Sequence, residues 1–261
     1  MSDSRIEVEE AAPGVRVIAF NRPEVRNAFD AAMYREVTAA LRAADSDEAV
    51  GAVVLTGRGT AFTSGQDLAE MAAIATGTAV EGAGQGFMGL LECLIDLSVP
   101  LLAAVNGVAV GLGFTLLPHC SLVLVDAGAR LRVPFAELGV PPEAASSVLF
   151  PAAMGWQQAA RILLTSDWVG ATELVELGVA LEVCDEGTVL DETVALAARI
   201  AAHPRAATRA STALVRAARR DALVEANRRE QAAFGALLGS AVGSGTLAEF
   251  AARPTAGPVG S

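Results

Sequence analysis

Two glycine-bearing turns, each closing an apolar strand, are the segments of this chain best suited to chemistry. The first is Ala61-Phe62-Thr63-Ser64-Gly65-Gln66-Asp67-Leu68, which follows the strand-like run Ala52-Val53-Val54-Leu55-Thr56. The second is Asn106-Gly107-Val108-Ala109-Val110-Gly111-Leu112-Gly113, after Pro100-Leu101-Leu102-Ala103-Ala104-Val105. Each reads as strand, tight turn, helix start. Such a turn leaves backbone N–H groups unpaired at a helix N-terminus, where they favour developing negative charge. Two of them facing each other would form an oxyanion hole, which polarises a carbonyl or thioester.

Composition removes several alternatives. The chain has 261 residues, 52% of them apolar, enough for one large domain or one domain with a helical appendage. Its net charge of −11 and the lack of a basic stripe argue against nucleic acid as a partner. Every basic residue other than the two histidines is arginine. Without a lysine there is no Schiff base, no pyridoxal phosphate attachment and no Walker-type phosphate loop. His119 and His203 are the only histidines, which disfavours a histidine-rich metal site; no metal is expected. Cys93, Cys120 and Cys184 are widely spaced and odd in number, as expected of reduced thiols in a cytoplasmic protein. The acidic stretch from Met1 to Glu10 lacks an apolar run, so no signal peptide is expected there. The uncharged run from Pro100 to Pro118 suits a buried strand–turn–helix better than a membrane span.

The remaining elements must position those turns. Val15 to Phe20 reads as a strand, and Asp30 as the N-cap of a helix to about Ala44 with Met33, Val37, Ala40, Leu41 and Ala44 on its apolar face. Thr76 to Gly86 reads as a mobile loop, Phe87 to Leu97 as a helix, Leu122 to Val125 and Arg130 to Val133 as strands. Helices are expected over about Ala144–Met154, Trp156–Leu164, Ala171–Leu177 and Thr188–Ala202, with a short strand near Ala180–Val183. Two or three alanine-rich helices follow from Ala206 to about Ala252, then a disordered tail over 253–261. Strand and helix alternate in the first two thirds and helices fill the last third, which makes an α/β core (1–200) with a C-terminal helical module (201–252). No internal sequence repeat is visible.

Four segments, in this order and at these spacings, resemble the crotonase (enoyl-CoA hydratase/isomerase) superfamily. They are Asn21-Arg22-Pro23 leading to Arg26-Asn27-Ala28-Phe29, then Ala61 to Leu68, then Ala104-Val105-Asn106-Gly107, then Pro134-Phe135-Ala136-Glu137-Leu138-Gly139. The resemblance implies a ClpP-like spiral of ββα units with a C-terminal helical region, assembled as homotrimers or trimer pairs. It implies an acyl-CoA thioester as substrate and no separate cofactor, coenzyme A being part of the substrate. The oxyanion donors it implies are the backbone N–H groups of Gln66 and Leu112. Contacts to the acyl-CoA fall, by position, on Arg26, Ala28, Ala61, Ser64, Gly65, Asp67, Leu68, Gly111, Gly113 and Phe135, with Arg26 near the pyrophosphate or the 3′-phosphate.

The chain departs from the hydratases. Their two glutamates, which hold one water, fall here at Thr115 and Phe135, and neither side chain can act as acid or base. The run Pro134-Phe135 through Pro142-Glu143-Ala144-Ala145-Ser146-Ser147 is similar instead to the 3-enoyl-CoA to 2-enoyl-CoA isomerase branch, whose single catalytic glutamate falls at Glu143. One base can take a proton from the α carbon of a 3-enoyl thioester and return it to the γ carbon. A hydratase with an unusual acid (Glu143 or Glu137) and a silent acyl-CoA-binding protein are the rivals. Each residue also has a plainer role. Glu143 follows Pro141-Pro142 at an expected helix start, where an acid is favoured by the helix dipole. Asp67 suits a helix cap, Glu137 a rim carboxylate, His119 a buried structural role and Arg26 a solvated surface. A Ser64–His119 nucleophile pair lacks any supporting motif.

Overall fold

The computed structural model of the chain describes residues 4–75, 77–78, 85–238, 245 and 249. Its first hairpin is β1 (Ile6–Ala12) and β2 (Val15–Phe20), paired antiparallel, followed by α1 (Ala31–Ser46). β1 was not foreseen. Its outward residues include Glu7, Glu9 and Glu10, and such charges protect the exposed edge of a sheet. Asp30 caps α1 by accepting from the Met33 N–H at 2.8 Å, and Met33, Tyr34, Val37, Thr38, Leu41 and Ala44 form its buried face.

Three ββα passes follow. The first is β3 (Ala52–Gly57), β4 (Ala61–Thr63), α2 (Leu68–Ala75) and α3 (Gln85–Asp96). The second is β5 (Leu101–Val105), β6 (Val108–Val110) and α4 (Leu112–Thr115). The third is β7 (Leu122–Asp126), β8 (Arg130–Arg132) and α5 (Phe135–Leu138). In each pass the first strand joins a six-stranded sheet, ordered β1-β2-β3-β5-β7-β10, and the second joins a four-stranded sheet, ordered β4-β6-β8-β9. Successive passes therefore stack in parallel, Val53 beside Leu101 and Ala103 beside Val123. This is the crotonase spiral. The repeat lies in the path of the backbone and not in the residues, which is why no sequence repeat marks it.

The large sheet is covered on both faces, so its strands read as unbroken apolar runs. Val53, Leu55, Leu101, Ala103 and Val105 face the main core. Their alternates Ala52, Val54, Leu102 and Ala104 face α9 through Val189 and Ala197. The remaining elements are α6 (Ser146–Met154), α7 (Trp156–Thr165), β9 (Val169–Gly170), α8 (Ala171–Glu176), β10 (Glu182–Cys184), α9 (Val189–Ala201), α10 (Arg205–Ala217) and α11 (Arg220–Leu238). The helix expected from Ala144 begins instead at Ser146. Ala144 and Ala145 adopt left-handed conformations, φ 58° and 57°, which a helix cannot contain. Most of the expected loop over Thr76–Gly86, the end of the helical module and the tail over 253–261 lie outside the described residues. No helix among the described residues is long and apolar enough to cross a membrane.

Candidate active site

The first turn is fixed by a buried asparagine. Asn27 accepts from the Arg22 N–H at 2.8 Å and donates to the Arg58 and Ala61 carbonyls at 2.9 and 2.8 Å. Thr63 then donates to the Asn27 carbonyl at 2.6 Å and accepts from the Gly65 N–H at 3.0 Å. Beyond the turn, the Phe29 N–H donates to Gly65 and the Asp67 N–H donates to Phe29, at 2.8 and 2.9 Å. In a parallel pairing the residues on either side make the bonds and the one between them points away. That residue is Gln66, bridged to Phe29. Its N–H is turned out of the ladder.

The second turn lies against the first. Gly65 has φ +85°, and a Cβ there would stand 2.5 Å from the Val110 carbonyl and 3.4 Å from the Leu112 nitrogen. Gly111, φ 55° and ψ −117°, reverses the chain after β6, and its N–H is held by the Arg132 carbonyl at 3.0 Å. Few side chains tolerate that conformation. The Phe114 and Thr115 N–H groups close the first helical turn onto the Gly111 carbonyl at 2.9 and 3.0 Å. Leu112 sits at the head of that turn. Among the described residues, neither the Gln66 N–H nor the Leu112 N–H finds an acceptor.

Gln66, Gly111 and Leu112 share one small cavity, about 60 Å³, with Glu143. Its wall is otherwise mainly apolar, with Leu68, Met71, Val110, Phe135, Leu138, Val140 and Phe234. Glu143 is the one carboxylate on that wall among the described residues. Loss of solvation raises its carboxyl from 4.5 to about 7, and the negative charge of Glu230 adds to the shift. Tyr34, buried on α1, donates to the Gln66 side chain at 2.6 Å. Its phenol is raised well above 10.0 by burial first, then by the charges of Glu143 and Glu70.

The setting of Glu143 differs from the one expected. Glu143 is not at a helix start, because the two left-handed alanines separate it from α6. The acid at that helix start is Glu230 of α11, which accepts from the Ala145 and Ser147 N–H groups at 2.7 and 2.9 Å. Of the expected substrate contacts, Ser64, Leu68, Gly111 and Phe135 line the cavity, whereas Arg26, Ala28, Ala61, Gly65, Asp67 and Gly113 do not. Gly65 and Gly113 act one step back by admitting backbone: a Cβ at Gly113 would lie 2.8 Å from the Thr63 carbonyl. Ala28 and Ala61 are buried, and Arg26 is exposed. Asp67 caps α2 through the Ala69 N–H at 3.1 Å and pairs with Arg22 at 3.3 Å.

The plainer assignments fit their surroundings. Glu137 pairs with Arg132 away from the cavity. His119 is fully buried and bonds the Ala144 carbonyl through Nε2 at 2.9 Å; burial lowers it from 6.5 to about 4, so it is neutral at pH 7. Thr115 is buried in the core and off the cavity wall. Tyr34 and Glu230 were missed. A signal for Glu230 was present: it shares the stripe Leu223, Ala226, Asn227, Glu230 and Phe234, and a carboxylate on the buried face of a helix requires a partner.

Comparisons with known proteins agree with this architecture. Residues 10–251 match the family model described as enoyl-CoA hydratase/isomerase. The chain is 36% identical over 220 residues to enoyl-CoA delta isomerase 2 of Homo sapiens, covering 83% of this chain and 56% of the human protein, so it spans little more than half of that relative. It is 32% identical over 239 residues to a probable enoyl-CoA hydratase of Rhizobium meliloti (strain 1021), covering 92% of each. Among solved structures, an enoyl-CoA hydratase/isomerase from Pseudoalteromonas atlantica T6c superposes with a TM-score of 0.88 at 29% identity, over 95% of this chain and 96% of that one. The two facing turns, the spiral that stacks them and these matches lead to one conclusion: the chain belongs to the enoyl-CoA hydratase/isomerase family.

Proposed function

We propose that this protein is an acyl-CoA isomerase that moves a double bond from the 3 to the 2 position of an enoyl thioester. The Gln66 and Leu112 N–H groups hold the thioester oxygen. The Glu143 carboxylate takes a proton from the α carbon, and its electron pair spreads onto the oxygen as a dienolate. The protonated Glu143 then gives the proton to the γ carbon, and the double bond comes to rest between the α and β carbons. No water is consumed, and neither metal nor redox cofactor is required.

The observation that carries this reading is that, among the described residues, one carboxylate lies on the wall shared by the two donors that have no acceptor. Hydration needs a held water between two acid–base groups. Both oxygens of Glu230 are taken by backbone N–H groups, and Glu137 is paired with Arg132, so neither supplies the second. A carboxyl near 7 is also suited to shuttling, since proton transfer in both directions is then close to balanced. Assembly as a trimer or trimer pair is proposed on the family resemblance, and the exposed apolar side chains of Trp156, Leu164, Leu214 and Val215 are available to it.

The test offers purified protein a 3-enoyl-CoA and, separately, a 2-enoyl-CoA. Conjugated product from the first with little hydration of the second is the expected result. Rapid hydration of the second sinks the isomerase reading, and tight binding of both without turnover favours a silent binding protein.

A further inference from the structure

The segment that carries Glu143 is strained and braced from outside. Ala144 and Ala145 both hold φ near +57°, a conformation costly for any residue with a Cβ. Such a turn persists only when its surroundings fix it. Two braces do so. From the turn over residues 117–119, His119 bonds the Ala144 carbonyl at 2.9 Å, and Arg216 of α10 in turn donates to the His119 carbonyl at 2.9 Å. From α11, Glu230 accepts from Ala145 with one oxygen and from Ser147 with the other. Glu230 is only 5% exposed, so this pairing is what satisfies it.

We propose that Glu230 is a positioning residue for Glu143: from the far end of the chain it clamps the strained turn that directly follows that side chain. The proposal rests on reading Glu143 as the proton-transferring base. Four groups face that base or its turn. Tyr34 of α1 feels its charge and, more weakly, that of Glu70 on α2. His119 is neutral at pH 7, because burial and then the Arg219 and Arg216 charges hold it near 4. Glu230 is the one whose charge raises the Glu143 carboxyl. A clamp of this kind serves a shuttle in two ways. It fixes the carboxylate over two carbons, and it keeps the carboxyl basic enough to take a proton from carbon.

The test is Glu230→Gln in the full chain. An amide keeps the size of the side chain, removes the charge and can accept with only one of its two ends. The Glu143 carboxyl is followed by carbon-13 NMR of glutamate-labelled protein, with its signal assigned by its loss in Glu143→Gln. Amide exchange is followed at Ala145 and Ser147. In Glu230→Gln the Glu143 midpoint should fall below about 7 while burial still holds it above 4.5, and exchange at the two amides should quicken. The isomerase kcat should drop about tenfold while KM stays near wild type. An unchanged midpoint, unchanged exchange, or a wild-type kcat in this variant overturns the proposal. If the single variant does not fold, Glu230→Gln is combined with Ala145→Gly, since glycine accepts the left-handed conformation freely, and the same signals are read. If the wild type isomerises no 3-enoyl-CoA, the functional reading fails, yet the midpoint and the exchange rates still decide whether Glu230 holds the turn.

Discussion

The two walls of the cavity are built on opposite principles. The donor wall is made of backbone. Gln66 and Leu112 sit in turns that close strands of the small sheet, held by Asn27, Thr63 and the Gly65–Val110 contact. The base wall is one side chain on a strained turn, held by groups remote in sequence, His119 and Glu230. The two walls therefore tolerate change in different places. A donor wall of N–H groups is indifferent to side chains at the donors themselves but intolerant of a Cβ at the glycines beside them. The base wall depends on a single carboxylate and on braces from the turn over residues 117–119 and from α11.

Substitutions can break that contrast, and the largest effect belongs to the base. Glu143→Gln should lower kcat for 3-enoyl-CoA isomerisation by about 10²–10⁴, with KM little changed, in a steady-state assay of conjugated product. The same group sets the pH dependence. Its working form is the carboxylate, so kcat/KM of the wild type should rise with pH through about 7 and level above it. Its effect on stability has the opposite sense. The folded chain holds the Glu143 proton between 4.5 and about 7 whereas the unfolded chain does not. This contribution is therefore present below 4.5 and lost as pH rises through 7. Thermal melts across that range should show the slope in wild type and lack it in Glu143→Gln.

Next comes the donor wall. Gly65→Ala places a Cβ 2.5 Å from the Val110 carbonyl at φ +85°. By spreading the two turns it should cost about 10²–10³ in kcat, read in the same assay with circular dichroism to confirm folding. Ala145→Gly relieves a left-handed alanine at φ 57°. It should raise stability by about 0.5–1 kcal/mol, measured by denaturant melts. The smallest effect sharpens the comparison most. Leu112→Met keeps the N–H and most of the volume, so kcat should change by less than about threefold. A large loss there would mean that the leucine side chain, not its N–H, is what the donor wall supplies.

The same contrast explains what could be read from the sequence. The donor wall was legible because its determinants are local. Glycines at fixed places after apolar runs mark the turns, and Asp30 and Asp67 mark helix starts by residue type alone. The fold was legible through the same segments taken in order. The candidate base stands out only as a position in a motif, and its local context misleads: Pro141-Pro142-Glu143 reads as a helix start, yet the two alanines that follow are left-handed. Alanine carries no signature of that conformation. The groups bonded to it are His119 and Glu230, the latter 85 residues away in sequence, and no spacing rule connects them to it. β1 was hidden for a related reason, since an edge strand with glutamates turned to solvent has no apolar run to announce it.

In the proposed reaction Glu143 removes the α proton while the two backbone donors hold the resulting oxygen. Exchange of the α protons of a bound 3-enoyl-CoA with D2O, followed by NMR, reads that step without waiting for product. Wild type should exchange them readily, and Glu143→Gln should do so slower by a factor of about 10² or more while binding the thioester with wild-type affinity. Exchange at the wild-type rate in Glu143→Gln would contradict the account, because another group would then be taking the proton.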